Sequence, residues 1–227
     1  MAITLQQKTT STAVHAVIAR AVIQEAVERP DTVSTDWREK LPVFAGKTIT
    51  LRELKASDAA TLYAMLSTEE VSRFISPPPT TVEGYEKFIE WTHRKREAGE
   101  LVCFGIVPEG MNVAVGIIQV RSLEGHFQTA EWGFALGSPY WGNGMFIEGA
   151  QLVLGFVFKD VGVHRLEARS VDYNGRCNGV LNKLGAVQEM RLRQSFLKNG
   201  KFYDEYLWSI LNEDWRSREQ LPRSRAS

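Results

Sequence analysis

Apolar and polar positions change period several times along the chain, and each change marks an element. Thr48-Ile49-Thr50-Leu51-Arg52 alternates with period two, which predicts a half-buried strand. Ser57-Asp58 then supplies capping side chains before a helix from Ala59 to Leu66. Pro77-Pro78-Pro79 ends the next segment, and Tyr85, Phe88, Ile89 and Thr92 form an apolar stripe running towards Gly99, predicting a longer helix. Leu101 to Val107, Val113 to Val120 and Gln128 to Leu136 are rich in Val, Ile, Phe and Trp and read as an antiparallel meander. Pro108-Glu109-Gly110-Met111-Asn112 and Leu123-Glu124-Gly125-His126 provide the turns between them.

From Met145 to Phe158 the pattern is apolar nearly all round, which predicts a helix buried within the domain. His164 to Val171 alternates again. Strand, buried helix and strand therefore make a crossover unit with two parallel strands. A further helix is expected from Asn174 to Leu184, stopped by Gly185, followed by a hairpin of Gln188 to Leu197 and Phe202 to Leu211 around Asn199-Gly200. The predicted fold class is mixed α/β: a mostly antiparallel sheet with a central βαβ crossover and helices on both faces.

The two ends differ from this pattern. Residues 1–45 open with a polar stretch and form an appendage, in which Val14, Val17, Ile18, Ala21 and Val22 recur at helical spacing before Pro30. Glu25 and Glu28 on its polar face argue against membrane binding, and the apolar stripe offers a homodimer contact. The folded domain is placed at residues 46–213, and 214–227 is a polar tail expected to fray.

Composition adds exclusions. A chain of 227 residues, 44% apolar and 10% aromatic, can bury a substantial core, while 27 basic against 27 acidic residues give no nucleic-acid footprint. Only Cys103 and Cys177 are present, too few for a disulfide framework, and His15, His93, His126 and His164 lack metal-ligand spacing. With no secretory signal and no membrane-length apolar run, the expectation is a cytoplasmic protein without a metal. His126 reads as a loop residue, and Trp132, Tyr206 and Trp208 as core or groove aromatics.

The segment that carries chemistry is Phe134-Ala135-Leu136-Gly137-Ser138-Pro139-Tyr140-Trp141-Gly142-Asn143-Gly144-Met145. A strand passes through a glycine-bearing turn into the buried helix, whose first N–H groups and dipole make an anion site. A Gly-x-Gly turn is weak evidence alone. The dinucleotide fingerprint is excluded because Ile147 stands where a third glycine or alanine is needed, and the Gly-Lys-Ser/Thr of a phosphate loop is absent.

These pieces together resemble the GNAT acetyltransferase superfamily, in particular its RimJ/RimL-type branch of ribosomal-protein N-terminal acetyltransferases. The matching segments span residues 48 to 212: Ile49-Thr50-Leu51-Arg52, Ala130-Glu131-Trp132-Gly133-Phe134, Pro139-Tyr140-Trp141-Gly142-Asn143-Gly144, Asn174-Gly175-Arg176-Cys177, Leu181-Asn182-Lys183-Leu184-Gly185 and Phe202-Tyr203-Asp204. The resemblance implies acetyl-CoA as co-substrate in a V-shaped opening between the strand ending at Leu136 and the parallel strand starting at His164. Backbone of Phe134, Ala135 and Leu136 would pair with the pantetheine arm. N–H groups from Trp141 through Gly142, Asn143, Gly144 and Met145 to Phe146 would hold the pyrophosphate, and the Asn174 amide would hold the arm from the other side.

The implied reaction is direct attack of an amine on the thioester, which needs a base, oxyanion donors and a proton for the departing thiolate. Glu131 is the expected base, because the resembling family places a glutamate on this strand. Cys177 stands where serine is common; a thiol is a poorer donor, although a helix start would lower its pKa. Tyr173 is the neighbouring substitute as general acid. The acceptor is expected to be a primary amine, foremost a protein N-terminus. Alternatives are a small amine (aminoglycoside, polyamine or amino acid) or a non-catalytic CoA-binding module. A mostly acidic acceptor pocket would favour polycations.

Overall fold

The computed structural model describes residues 36–220. In chain order the elements are β1 (Phe44–Ala45), β2 (Ile49–Glu53), α1 (Ala59–Leu66), α2 (Glu69–Ser72), α3 (Val82–Glu97), β3 (Leu101–Pro108), β4 (Gly116–Ser122) and β5 (Thr129–Leu136). They continue with α4 (Met145–Phe156), β6 (Arg165–Val171), α5 (Gly175–Lys183), β7 (Val187–Lys198), β8 (Lys201–Leu211) and α6 (Asn212–Gln220). Eight strands form one sheet in the order β1-β2-β3-β4-β5-β6-β8-β7, antiparallel throughout except for β5 against β6. The mixed sheet, its single crossover and its two helical layers agree with the fold class read from the sequence.

Strand alternation decides which helix packs where, since successive side chains point to opposite faces. Leu51, Phe104, Ile106, Ile118 and Trp132 meet Ala150, Val153 and Leu154 of α4 in one buried cluster. Leu101, Cys103, Val107 and Ala135 meet Leu62 and Leu66 of α1 and Tyr85 and Ile89 of α3 in the other. Gly149 allows α4 its close seat, because a Cβ there would come within 3.1 Å of Ile49 and 3.4 Å of Ile118.

Several boundaries differ from the expectation. α4 stops at Phe156 and widens into a π turn, Val157–Val161, before the left-handed Gly162. The domain begins before residue 46, because Trp37 and Leu41 are buried in the α4-side core and β1 pairs with β2. The helix expected on residues 14 to 22 lies outside the described residues. Asp58 does not cap α1; it accepts from the Lys55 N–H at 2.7 Å and the Ala114 N–H at 2.9 Å, closing a 3-10 turn at Ala56–Asp58. Instead of fraying directly after Trp215, the chain is helical to Gln220, because Trp215 packs on Phe158 with ring centroids 5.5 Å apart.

Candidate active site

The parallel ladder between β5 and β6 is short. It joins Thr129 to Arg165, Ala130 to Leu166 and Glu131 to Glu167, and stops there although both strands run on. β5 beyond Glu131 stays paired with β4 but has no ladder partner towards β6. A cavity of about 1490 Å³ occupies this opening. Free backbone N–H and C=O groups in such a gap need hydrogen-bonding partners, which an extended amide-bearing chain supplies.

At the end of β5 the chain turns through Ser138–Tyr140, and the Trp141 indole N–H donates to the Leu136 carbonyl at 2.7 Å, pinning the turn to the strand. Gly142 and Gly144 have φ of +80° and +88°, a left-handed backbone that favours glycine. A Cβ on either would meet nothing within 4 Å, so this side of the turn is open space. α4 starts immediately afterwards. Of the expected donors, the Trp141 N–H is taken by the Ser138 carbonyl at 3.2 Å and the Met145 N–H by Asn143 Oδ1 at 3.1 Å. Of the expected donors this leaves Gly142, Asn143, Gly144 and Phe146, all of which line the cavity, and Met145 is not among the lining residues.

The facing wall comes from the end of β6 and the start of α5. Asn174 lines the cavity and caps α5, its Oδ1 accepting from the Cys177 N–H at 3.2 Å, which leaves its Nδ2 as the group that can reach a ligand. Arg176, not singled out in the sequence reading, stacks its guanidinium on the Trp141 ring at 4.2 Å. Cys177 also lines the cavity, with Ser170 beside it. Burial pushes the Cys177 thiol up to about 11, partly opposed by hydrogen bonding with Ser170, so the lowering expected from the helix start is outweighed by desolvation. Such a thiol stays protonated at neutral pH and gives a hydrogen bond more readily than a proton. Tyr173 is half exposed and packs edge-on against Phe74 and Tyr203; Phe74 lines the cavity and Tyr173 does not.

Glu131 lies where the two strands part and lines the cavity. Its carboxylate is held from both sides, by Arg121 (Nε to Oε2 at 3.0 Å) and by Arg169 (Nε to Oε1 at 3.7 Å). Three more polar groups missed by the sequence reading line the same space: Tyr85, Gln119 and Glu205. Nothing local distinguishes them, since Tyr85 lies on a helical apolar stripe and Gln119 and Glu205 lie within strands. The charged lining comprises the acids Glu70, Glu131 and Glu205 and the bases Arg73, Arg121, Arg169, Arg176 and Lys183. Among the described residues, no group of His, Cys, Asp and Glu is placed to hold a metal, and no helix is long and apolar enough to cross a membrane.

A sheet opened between two parallel strands, beside a helix that starts on two left-handed glycines, suits an extended ligand that carries amides and phosphate. The chain belongs to the GNAT acetyltransferase family, whose domain model matches residues 48–187. The Bacillus subtilis (strain 168) protein named "Probable N-acetyltransferase YjcK" is 30% identical over 178 residues, covering 76% of this chain and 98% of its own length. The [ribosomal protein uS5]-alanine N-acetyltransferase of Escherichia coli (strain K12) is 20% identical over 133 residues, covering 58% of this chain and 69% of that protein. The solved structure of RimL, a ribosomal L7/L12 α-N-protein acetyltransferase in complex with coenzyme A, superposes with a TM-score of 0.70 at 16% identity, over 76% of this chain and 99% of that one. The chain is thus an acetyl-CoA-dependent acyltransferase.

Proposed function

We propose that this enzyme transfers an acetyl group to the α-amine of a protein or peptide N-terminus, with the acyl donor in the opening between β5 and β6. The observation that carries the reading is that one continuous cavity joins the glycine turn of α4, the unpaired edge of β5 and the mixed-charge surface around Glu131. The cavity fits the donor: the open side of Gly142 and Gly144 meets phosphate, and the free edge of β5 at Phe134, Ala135 and Leu136 meets the pantetheine amides. When bound, acetyl-CoA supplies the thioester carbonyl that an amine attacks. Glu131, with both oxygens in ion pairs, suits fixing Arg121 and Arg169 at the acceptor side better than acting as a free base.

The ribosomal-protein names among the relatives and the charge of the lining support a peptide acceptor. Five bases against three acids do not form the acidic pocket that an aminoglycoside or polyamine would need. The free cysteines Cys103 and Cys177 suit a cytoplasmic enzyme.

Titration calorimetry with acetyl-CoA on wild type and Gly142→Glu tests the donor site; saturable binding is expected in wild type and loss in the folded variant. Mass spectrometry then compares short peptides with free N-termini against polyamines, aminoglycosides and free amino acids. Acetylation confined to small amines would overturn the peptide assignment.

A further inference from the structure

Every other carboxylate on β5, β6, β7 and β8 has an arginine. Glu131 holds Arg121 and Arg169, Glu167 and Glu189 share Arg165, and Asp204 pairs with Arg191. Glu205 has none. Among the described residues no Lys, Arg or His nitrogen lies within 4.0 Å of it, and its side-chain partner is the Ser195 hydroxyl, which donates to Oε2 at 2.8 Å. Yet Glu205 is only 8% exposed, and it lines the cavity. A carboxylate withdrawn from water without a cation is costly unless a partner arrives.

The chain invests local irregularity to hold it there. β7 bulges between Leu192 and Phe196, with Gln194 at a left-handed φ of 51°. The bulge is pinned by β8 at two neighbouring points: the Gln194 N–H donates to Asp204 Oδ1 at 2.8 Å, and Ser195 to Glu205. Bulges beside active sites re-aim side chains, and here Phe196 reaches the cavity lining.

We infer that Glu205 is the group that receives the acceptor: it binds the cationic amine and takes its proton. This rests on the N-acetyltransferase reading above and names the acceptor side of it. The ammonium gives one proton to the Glu205 carboxylate. The free nitrogen then bonds to the thioester carbonyl carbon, the C–S bond breaks, the sulfur takes the second proton leaving nitrogen, and Glu205 returns its own proton to water.

Two further orphan groups refine the acceptor class. Among the described residues the Tyr85 hydroxyl and Gln119 Oε1 are buried without a hydrogen-bond partner, and both residues line the same cavity; Ser67, beside Tyr85, donates to the Pro79 carbonyl at 3.2 Å. One can donate to a carbonyl and the other accept from an N–H. An ammonium, a carbonyl and an amide N–H are what the first two residues of a peptide carry, and a simple alkylamine lacks the last two.

The test compares wild type, Glu205→Gln, Glu131→Gln and Ser195→Ala on a dipeptide amide and an alkylamine of matched length, with acetyl-CoA affinity read separately by calorimetry. Glu205→Gln is expected to lower kcat/KM for the peptide about 100-fold or more, within the range for a lost general base, and to flatten the acidic limb of its pH profile. Acetyl-CoA affinity should stay within about twofold, and Glu131→Gln should keep the acidic limb. If melting shows Glu205→Gln unfolded, Ser195→Ala carries the test, with about a fivefold lower kcat/KM expected from a freed carboxylate. A folded Glu205→Gln within about threefold of wild type with its acidic limb intact would overturn the inference, as would an alkylamine used as well as the peptide. A wild type that binds acetyl-CoA and acetylates no amine would instead overturn the reading on which it rests.

Discussion

The guanidinium of Arg176 lies 4.2 Å from the centroid of the Trp141 ring, so the first turn of α5 is tied to the turn that starts α4, and both residues line the cavity. Two elements built from distant parts of the chain are thereby held together at one cavity. The contact also puts a permanent cation on the cavity lining that Gly142 to Gly144 share.

Arg176→Ala is therefore expected to weaken acetyl-CoA binding about fivefold, the equivalent of about 1 kcal/mol for an exposed cation–π contact. Calorimetry at low and high salt checks it. The gap between wild type and variant should shrink as salt screens the charge.

Gly144→Ala should lower stability by about 1–2 kcal/mol, because φ is +88° although the space around the new methyl is empty. Gly125→Ala, at φ +77° with equally open surroundings but outside the cavity lining, is the control. Thermal melts should move alike for both. Only Gly144→Ala should also weaken acetyl-CoA binding.

Cys177 should be a sluggish nucleophile. With its thiol pushed up to about 11, alkylation at neutral pH should be slower than that of an ordinary cysteine by roughly two orders of magnitude, read by mass spectrometry. Acetyl-CoA should protect it further. Cys177→Ser should keep or raise turnover, since a hydroxyl is the better hydrogen-bond donor, and Tyr173→Phe should leave it unchanged, because that ring lies outside the cavity lining.

Acid should unfold the domain through identifiable carboxylates. Burial alone would raise the Asp58 carboxyl, but hydrogen bonds from Arg52, Lys55 N–H and Ala114 N–H outweigh it and hold it below 3.8. The Arg165 hydrogen bond, then that of Ser209, takes Glu189 from 4.5 to about 2. Both folded values are depressed, so the stabilisation is fully present above about pH 4.5 and is lost as pH falls through the folded values. Urea unfolding at pH 7 and pH 3 should show this loss. Asp58→Asn should cost about 3–5 kcal/mol at pH 7, because it leaves the nearly buried Arg52 guanidinium without its charge partner.

Much of the architecture was legible along the chain because it is written in short-range patterns. The strand at Ile49, the helix from Ala59 to Leu66 and the Asn199-Gly200 hairpin follow from alternation, helical spacing and turn chemistry within a few residues. The same holds for Gly142 and Gly144, whose backbone demands glycine whatever lies around them. α6 was missed because its support is tertiary: its sequence is polar at every position but Trp215, and that ring lies on Phe158.

The candidate site divides in the same way. The sequence by itself determined where the strand–turn–helix stands, because glycine, helix start and strand are consecutive. Only the tertiary structure decided that β5 and β6 part at Glu131, that Arg121 and Arg169 close on that carboxylate, and that Tyr173 packs on Phe74 outside the cavity lining. It alone left Glu205 without a cation among the described residues. Charge pairing is allotted between side chains tens of residues apart, by strand register and burial, and no local pattern records which carboxylate ends without a partner.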